Sequence, residues 1–143
     1  MDFVDARVRV RYAETDQMGV VYHANYLVWM EVGRVEYWRT SGLRYRDMEQ
    51  QDGILLVVAE VSCRYLSPAV YDEEVIIRTS IAEASPRMIR FEYELLAADD
   101  SRRLATGYTK HVFCGTDRRP TKVPQKYHAI LGIKSPGVGE SIP

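Results

Sequence analysis

Asp16 is a side chain whose type and position could support chemistry, because it lies in a loop that leads into a strongly apolar segment predicted to be a buried helix. The first amides of a helix have no intrahelical partner and carry partial positive charge. A carbonyl oxygen held there is stabilised as it becomes an oxyanion, and a nearby carboxylate can act as a nucleophile or as a base for water. The segment can thus support hydrolysis at a carbonyl group. From the residues alone, a turn or capping role of Asp16 is the favoured interpretation.

The element that must carry this site is predicted as a helix from Asn25 to Thr40, about 24 Å long at 1.5 Å per residue. Asn25 or the residues just before it can cap the start of the helix, and Gly42 suits a left-handed turn after its end. Apolar residues occupy nearly every side of the helix, so it must be covered on most sides. The uncharged stretch from Tyr22 to Met30 is predicted to be the deepest part.

Alternation of apolar and polar residues predicts five β-strands around this helix. The first strand is expected over residues 6–12. Its apolar side extends from Ala6 to Tyr12, and its other side carries three arginines. The other four are expected at residues 54–66, 75–81, 89–95 and 104–114. Their connections are too short for parallel crossovers, so the sheet should be antiparallel. We therefore expect an α+β fold in which one five-stranded antiparallel sheet curls around one long central helix.

The predicted domain covers residues 1–134 and is expected to pair with further copies of itself. A five-stranded sheet leaves open edges, and the apolar helix keeps an uncovered stripe. Both are covered if subunits pair edge to edge and continue the sheet, which predicts a homo-oligomer. The proline- and glycine-containing C-terminal part predicts a short helix within Gln125–Ile133 and a flexible tail over residues 135–143.

Composition and charge exclude several classes of function. The 143 residues are 46% hydrophobic and 27% charged, which is typical of a soluble globular domain. With 19 basic and 20 acidic residues the formal net charge is −1, which argues against a basic nucleic-acid-binding surface. No apolar run approaches the roughly 18 residues that would span a bilayer, and the N-terminus lacks the apolar stretch of a signal peptide.

The cysteines and histidines indicate neither a disulfide framework nor a metal site. Cys63 and Cys114 do not form a CxxC motif and are interpreted as free thiols in a reducing cytoplasm. The three histidines are scattered along the chain without the spacing of metal ligands, so no metal is expected. His111, in a strand, and His128, near the C-terminus, are interpreted as structural residues.

The run from Thr15 to Tyr26 (Thr-Asp-Gln-Met-Gly-Val-Val-Tyr-His-Ala-Asn-Tyr) resembles the signature of the 4-hydroxybenzoyl-CoA thioesterase family. The Tyr-His pair within it makes it most similar to the bacterial acyl-CoA thioesterases associated with the Tol–Pal system. The resemblance extends over about residues 5–125, including the long helix, the turn at Ser67-Pro68-Ala69 and the two prolines near residues 119–124. It implies the hotdog fold, in which an antiparallel sheet wraps a central helix.

The resemblance also implies roles for individual residues. Asp16 matches the catalytic acid of the family, and His23 matches the position whose backbone N–H points at the thioester oxygen, with its imidazole also part of the site. Tyr22 and Tyr26 flank His23 and are expected to contact substrate. Tyr65, near the Pro68 turn, can line the acyl pocket. Whether Asp16 attacks the carbonyl or activates water stays open.

Several basic residues are candidates for holding the phosphates of coenzyme A, since arginine suits phosphate geometry. Arg87 is the one assigned to substrate binding. Arg64, next to Tyr65, is a candidate for the acyl pocket, with a solvated surface as the alternative. The remaining phosphate candidates, for which the surface alternative also holds, are Arg90, Arg118, Arg119 and Lys122.

The predicted function is a cytoplasmic thioester hydrolase that cleaves an acyl-CoA, or an acyl-carrier-protein thioester, to the free acid and the thiol. No cofactor is expected, because coenzyme A enters as part of the substrate. The family implies a homotetramer built as a dimer of dimers. The alternatives are an enoyl-thioester hydratase and a non-catalytic acyl-CoA-binding protein. The acyl-chain preference stays open.

Overall fold

The structure, a computed structural model, describes residues 3–133, so the tail predicted at 135–143 lies outside the described residues. Its strands are β1 (Val4–Arg9), β2 (Leu55–Tyr65), β3 (Glu74–Ala84), β4 (Met88–Ala97) and β5 (Arg103–Cys114). Its α-helices are α1 (Asn25–Thr40), α2 (Tyr45–Asp52) and α3 (His128–Leu131). Short 3₁₀ turns occur at Tyr12–Glu14 and Gln125–Tyr127.

The five strands form one antiparallel sheet in the order β1-β3-β4-β5-β2. Short turns join β3, β4 and β5, whose alternating residues predicted three successive strands. β2 pairs with β5 and β1 pairs with β3, so these two strands are the edges of the sheet. The prediction of a five-stranded antiparallel sheet packed with one long helix is confirmed.

Helix α1 lies on one face of this sheet, against β1, β3 and β4. The alternation along β3 and β4 turns Ile77 and Phe91 towards the helix, where both are fully buried. At Gly33 the helix approaches β3 so closely that a Cβ atom would lie 2.3 Å from the Thr79 hydroxyl oxygen. Across residues 3–133, we find no helix with both the length and the apolar character needed to cross a membrane.

The bounds of α1 match the prediction, but the depth of its first turns does not. Tyr26 and Trp29 are buried, whereas Tyr22 is 48% exposed and Val28 is 51% exposed. The sheet contacts one side of the helix, so the apolar residues on its other side are exposed. The prediction that the whole stretch from Tyr22 to Met30 is the deepest part is therefore wrong.

Two element ends also differ from the prediction. β1 ends at Arg9, and Tyr12 lies in a 3₁₀ turn with 77% of its surface exposed, so its expected place on the apolar side of the strand is wrong. The helix expected within Gln125–Ile133 is a 3₁₀ turn followed by α3, which ends where Gly132 adopts a φ of +75°.

Candidate active site

Asp16 begins a tight turn that fixes its carboxyl group. The amide of Asp16 donates to the carbonyl oxygen of Val20 at 2.9 Å, and the amide of Gly19 donates to that of Asp16 at 2.9 Å. Gly19 has a φ of +81°, a left-handed conformation that glycine adopts without strain. The amide of Met18 donates to Asp16 Oδ1 at 2.9 Å, and no partner for Oδ2 is recorded within residues 3–133. Asp16 therefore forms a turn and still has one carboxylate oxygen available for chemistry.

The loop that carries Asp16 is held between the start of α1 and the segment that follows β2. Across the base of the loop, the amide of Tyr22 donates to the carbonyl oxygen of Glu14 at 2.9 Å. On the other side, the amide of Val21 donates to the carbonyl oxygen of Ala69 at 2.9 Å. These bonds fix where the carboxyl group of Asp16 stands relative to the first turn of the helix.

The start of α1 has no side-chain cap. Its N-cap residue is Ala24, which has no side-chain oxygen, and Asn25 donates its Nδ2 group to the carbonyl oxygen of Glu14 at 2.9 Å. The expected capping by Asn25 or its predecessor is therefore wrong. The first turn begins where the amide of Tyr26 donates to the carbonyl oxygen of His23 at 3.3 Å. In the described part of the chain no acceptor is recorded for the amides of His23 and Ala24, which lie at the positive end of the helix.

A cleft of about 330 Å³ brings together Asp16, His23, Tyr26 and Tyr65. The rest of its lining is largely apolar and consists of Met18, Val20, Val21, Leu66, Ser67 and Pro68. Tyr22 stands just outside this lining, with its ring centroid 4.4 Å from that of His23. Four of the six predicted site residues thus share one cleft, and a fifth lies beside it.

Tyr65 connects the end of β2 to the start of α1. Its hydroxyl donates to the carbonyl oxygen of His23 at 2.9 Å, and its ring lies edge-on to Tyr26 at a centroid distance of 5.0 Å. Burial, together with the neighbouring Cys63, raises the pKa of Tyr65 to about 12, so its hydroxyl stays protonated and can donate. Tyr65 therefore holds the helix start, in addition to lining the cleft.

Arg87, the sixth predicted site residue, lies at the other end of the sheet. The cleft adjoins Tyr65, which pairs with Ala105, whereas Arg87 precedes Met88, which pairs with Val112. Those two positions of β5 are about 23 Å apart at 3.3 Å per residue. The structure of this chain does not bring Arg87 to the cleft, and its binding of substrate stays a prediction.

The other basic candidates are also separate from the cleft in this chain. Arg118 and its neighbours follow β5, on the same side as Arg87, because the amide of Val123 donates to the carbonyl oxygen of Pro86 at 2.8 Å. Arg64 and Arg90 line a larger depression of about 590 Å³ on the outer face of the sheet, which contains neither Asp16 nor His23. The smaller cleft is the better candidate site because it joins a carboxylate to a helix start.

Two features near the cleft gave no signal in the sequence. Leu66 was predicted as the end of a strand and Ser67 as part of a turn, and both line the cleft. They lie there because the backbone of the following Ala69 accepts a hydrogen bond from the amide of Val21, in the loop of Asp16. Glu14 is only 6% exposed, although glutamate is rarely buried. Nothing in the pattern of its neighbours marks it, because its buried partner, Trp29, lies fifteen positions later in the chain.

The two histidines away from the cleft, His111 and His128, are buried in the protein. His111 is 1% exposed, and its Nε2 lies 2.8 Å from the hydroxyl oxygen of Thr109. Burial lowers the pKa of His111 to about 4, so this side chain is neutral near pH 7. His128 is also buried. Both observations fit the structural roles that we expected.

Comparison with known proteins identifies a protein family that this chain matches. The model of the thioesterase-like superfamily matches residues 10–131. The putative acyl-CoA thioesterase YneP of Bacillus subtilis is 50% identical over 76 residues, which are 53% of this chain and 54% of YneP. The acyl-CoA thioesterase YbgC of Haemophilus influenzae is 35% identical over 89 residues, which are 62% of this chain and 65% of that protein. The alignments therefore span little more than half of YneP and just under two thirds of YbgC.

A solved structure gives a more extensive match. The DHNA-CoA thioesterase of Staphylococcus aureus has a TM-score of 0.87 and 31% identity, and the match covers 92% of this chain and 90% of that chain. The names of these relatives support the prediction of an enzyme that hydrolyses thioesters. The chain belongs to the thioesterase-like superfamily, and its five-stranded sheet and long helix form the hotdog fold.

Proposed function

We propose that the protein is an acyl-CoA thioesterase, in which Asp16 supplies or activates the nucleophile and the start of α1 polarises the thioester carbonyl. The observation that carries this proposal is the meeting of Asp16 with the uncapped helix start at His23 in one cleft. The relatives named as acyl-CoA thioesterases support the substrate class. The Tyr22-His23 pair supports a place in the branch associated with the Tol–Pal system.

The proposed chemistry uses two groups of the cleft, the amide of His23 and the carboxylate of Asp16. The amide of His23 can donate to the carbonyl oxygen and stabilise the negative charge that develops there. Asp16 Oδ2 can then take a proton from water, which adds to the carbonyl carbon, or attack that carbon to give a mixed anhydride that water cleaves. In both routes the C–S bond breaks, and coenzyme A leaves as a thiol once the sulfur regains a proton. A thioester carbonyl is poorly stabilised by resonance, so this arrangement suffices without a cofactor.

The substrate also suggests where the enzyme acts and what it contains. Coenzyme A takes part as a portion of the substrate, and neither a metal nor a resident cofactor has a role in the proposed reaction. We place the enzyme in the cytoplasm, where acyl-CoA thioesters are available. A thioester of an acyl carrier protein offers the same bond and is a second substrate form to test.

The direct experiment is a screen for thiol release from short, long and aromatic acyl-CoAs and from an acyl-carrier-protein thioester. We expect catalytic release of the free thiol from at least one of them. Tight binding without thiol release across the whole panel would contradict the proposal and favour an acyl-CoA-binding protein. Reversible addition of water to an enoyl-CoA, again without thiol release, would favour a hydratase.

A fivefold loss of activity is the result we expect for Tyr65→Phe. The substitution keeps the ring against Tyr26 but removes the hydrogen bond to the carbonyl oxygen of His23, which is worth about 1 kcal/mol, or about a fivefold change in kcat. Steady-state kinetics with the best substrate of the screen measures it. Unchanged kcat in a folded variant would mean that this bond does not position the helix start.

We also propose that the protein is a homo-oligomer in which two subunits pair through β2, with a dimer of dimers as the full assembly. Val58 and Val61 lie on the side of β2 that faces α1, because they pair with the buried residues His111 and Thr109. Both valines remain more than 40% exposed in one subunit. The exposed side of α1 continues this apolar surface through Leu27, Val28, Val32 and Val35. A second copy adding its own β2 edge would cover both.

Val61→Asp is expected to convert the assembly to a smaller species, because it places a charge in the apolar surface that pairing would bury. Light scattering coupled to size-exclusion chromatography measures the mass. Val57→Asp is the matched control, since Val57 is similarly exposed but lies on the opposite face of the same strand. A parent protein that is monomeric, or equal masses for all three proteins, would contradict this mode of pairing.

A further inference from the structure

Glu14 is a buried carboxylate with several donors around it. Its Oε1 accepts a hydrogen bond from the amide of Arg11 at 2.8 Å, and its Oε2 accepts one from the Trp29 indole Nε1 at 3.1 Å. The guanidinium of Arg11 lies 3.5 Å from Oε2. The side chain thereby joins the end of the first strand region to a residue one turn inside α1.

The backbone of the same residue holds the two parts of the candidate site. Its carbonyl oxygen accepts one bond from the amide of Tyr22 and another from the side-chain amide of Asn25, each at 2.9 Å. The Tyr22 bond closes the base of the loop that carries Asp16. The Asn25 bond fixes the first residue of α1. Because the Tyr22 amide is engaged in this way, the next amide belongs to His23, which lines the cleft, and we find no acceptor for it among residues 3–133.

The partners of the Glu14 side chain require a carboxylate. Arg11 N–H and Trp29 Nε1–H are both donors, and each reaches a different oxygen of the carboxylate. A glutamine has one acceptor oxygen and one donor nitrogen, so one of these two donors would lose its partner in a buried site. Burial by itself raises the pKa of Glu14, but the hydrogen bonds from Arg11 and Trp29 outweigh it and hold the pKa below its ordinary value.

We propose that Glu14 is a positioning residue: through Arg11, Trp29, Tyr22 and Asn25 it sets the distance between the carboxyl group of Asp16 and the free amide of His23. Glu14 itself does not line the cleft and does not touch the substrate. The inference rests on the proposed function, because that distance matters only if both groups act on one carbonyl.

The test compares Glu14→Gln with the parent and with a matched control, Glu94→Gln. Glu94 is also an ion-paired glutamate, bonded to Arg103 at 3.0 Å, but it lies on the sheet away from the cleft. For Glu14→Gln we expect kcat to fall about 10- to 100-fold, since misplacement of reacting groups by about 1 Å costs this much, while KM stays within about threefold. Trp29→Phe removes one donor to the same carboxylate and should change kcat in the same direction. The control should keep the parent's values.

Hydrogen exchange of individual amides separates positioning from general destabilisation and does not depend on activity. In Glu14→Gln we expect the amides of Asp16 and Tyr22 to exchange about tenfold faster, while the amides of β4 keep the parent's rates. Faster exchange throughout the chain, or a kcat within about twofold of an active parent, would overturn the inference. If the parent releases no thiol at all, the proposed function fails. In that case, faster exchange of the Asp16 and Tyr22 amides in Glu14→Gln would still support the inference that Glu14 holds this loop at the start of α1. Unchanged exchange of these amides would overturn it.

Discussion

Asp16→Asn is expected to lower kcat for thioester hydrolysis by about 10²- to 10⁴-fold, the range for loss of a catalytic acid or base. The amide side chain has nearly the same shape as the carboxylate, and its oxygen can still accept the hydrogen bond that Met18 donates to Oδ1. The turn should therefore persist, while the free oxygen that takes a proton or attacks carbon is replaced by a nitrogen that does neither.

Single-turnover thiol release, with enzyme in saturating excess over substrate, measures this effect without a contribution from product release. The thermal midpoint of Asp16→Asn should stay close to the parent's, which shows that the fold is intact. If the variant hydrolyses the whole substrate panel as fast as the parent, Asp16 has no catalytic role and serves only to form the turn.

The second large effect is expected at Ala24, the N-cap residue of α1. Ala24→Asp would place a negative charge at the helix start, where the proposed oxyanion forms. Two like charges about 6 Å apart repel by about 3 kcal/mol at an effective dielectric constant of 20, so we expect kcat to fall about 10- to 100-fold. The same charge interacts favourably with the helix dipole, so stability should not fall with activity.

Ala24→Asn is the control for this prediction, because it has the same shape without the charge. We expect the asparagine variant to keep most of the parent's kcat, and the gap between the two variants should narrow at acid pH as the new carboxyl group is protonated. Equal kcat values for both variants near pH 7 would mean that the electrostatic potential at the helix start does not assist the reaction.

The sequence predicted the elements that have strong periodic signals. Asn25 and Thr40 bound α1 as expected, since apolar residues run between them and Gly42 follows with a φ of +86°. The strands followed from alternation, and short turns made the sheet antiparallel. These features depend on neighbours in sequence, which is why composition and spacing were enough to locate them.

The parts that sequence analysis missed depend on contacts between distant residues. Hydrophobicity alone placed the whole first half of α1 in the core, although one side of it remains open in a single subunit. Arg87 has a charge that suits phosphate, but charge does not reveal that the residue lies at the other end of β4. Glu14 became a candidate only when the fold brought Trp29, fifteen positions later, to its carboxylate.

The candidate site itself was partly accessible from the sequence. The resemblance of residues 15–26 selected Asp16, His23, Tyr22 and Tyr26 as one group, and three of them line the cleft. The residues alone favoured a turn role for Asp16, and the structure contains that turn. The turn leaves room for the proposed catalytic role of Asp16, because it uses only one of the two carboxylate oxygens.

The most direct test of the central claim is an experimental structure of Asp16→Asn with an unhydrolysed acyl-CoA in its cleft. We expect the thioester carbonyl oxygen to lie about 3 Å from the amide nitrogen of His23, and the carbonyl carbon to lie within about 3.5 Å of the side chain at position 16 or of a water bound to it. A thioester bound in another part of the protein, with its carbonyl far from both groups in its own and in every neighbouring subunit, would contradict the account.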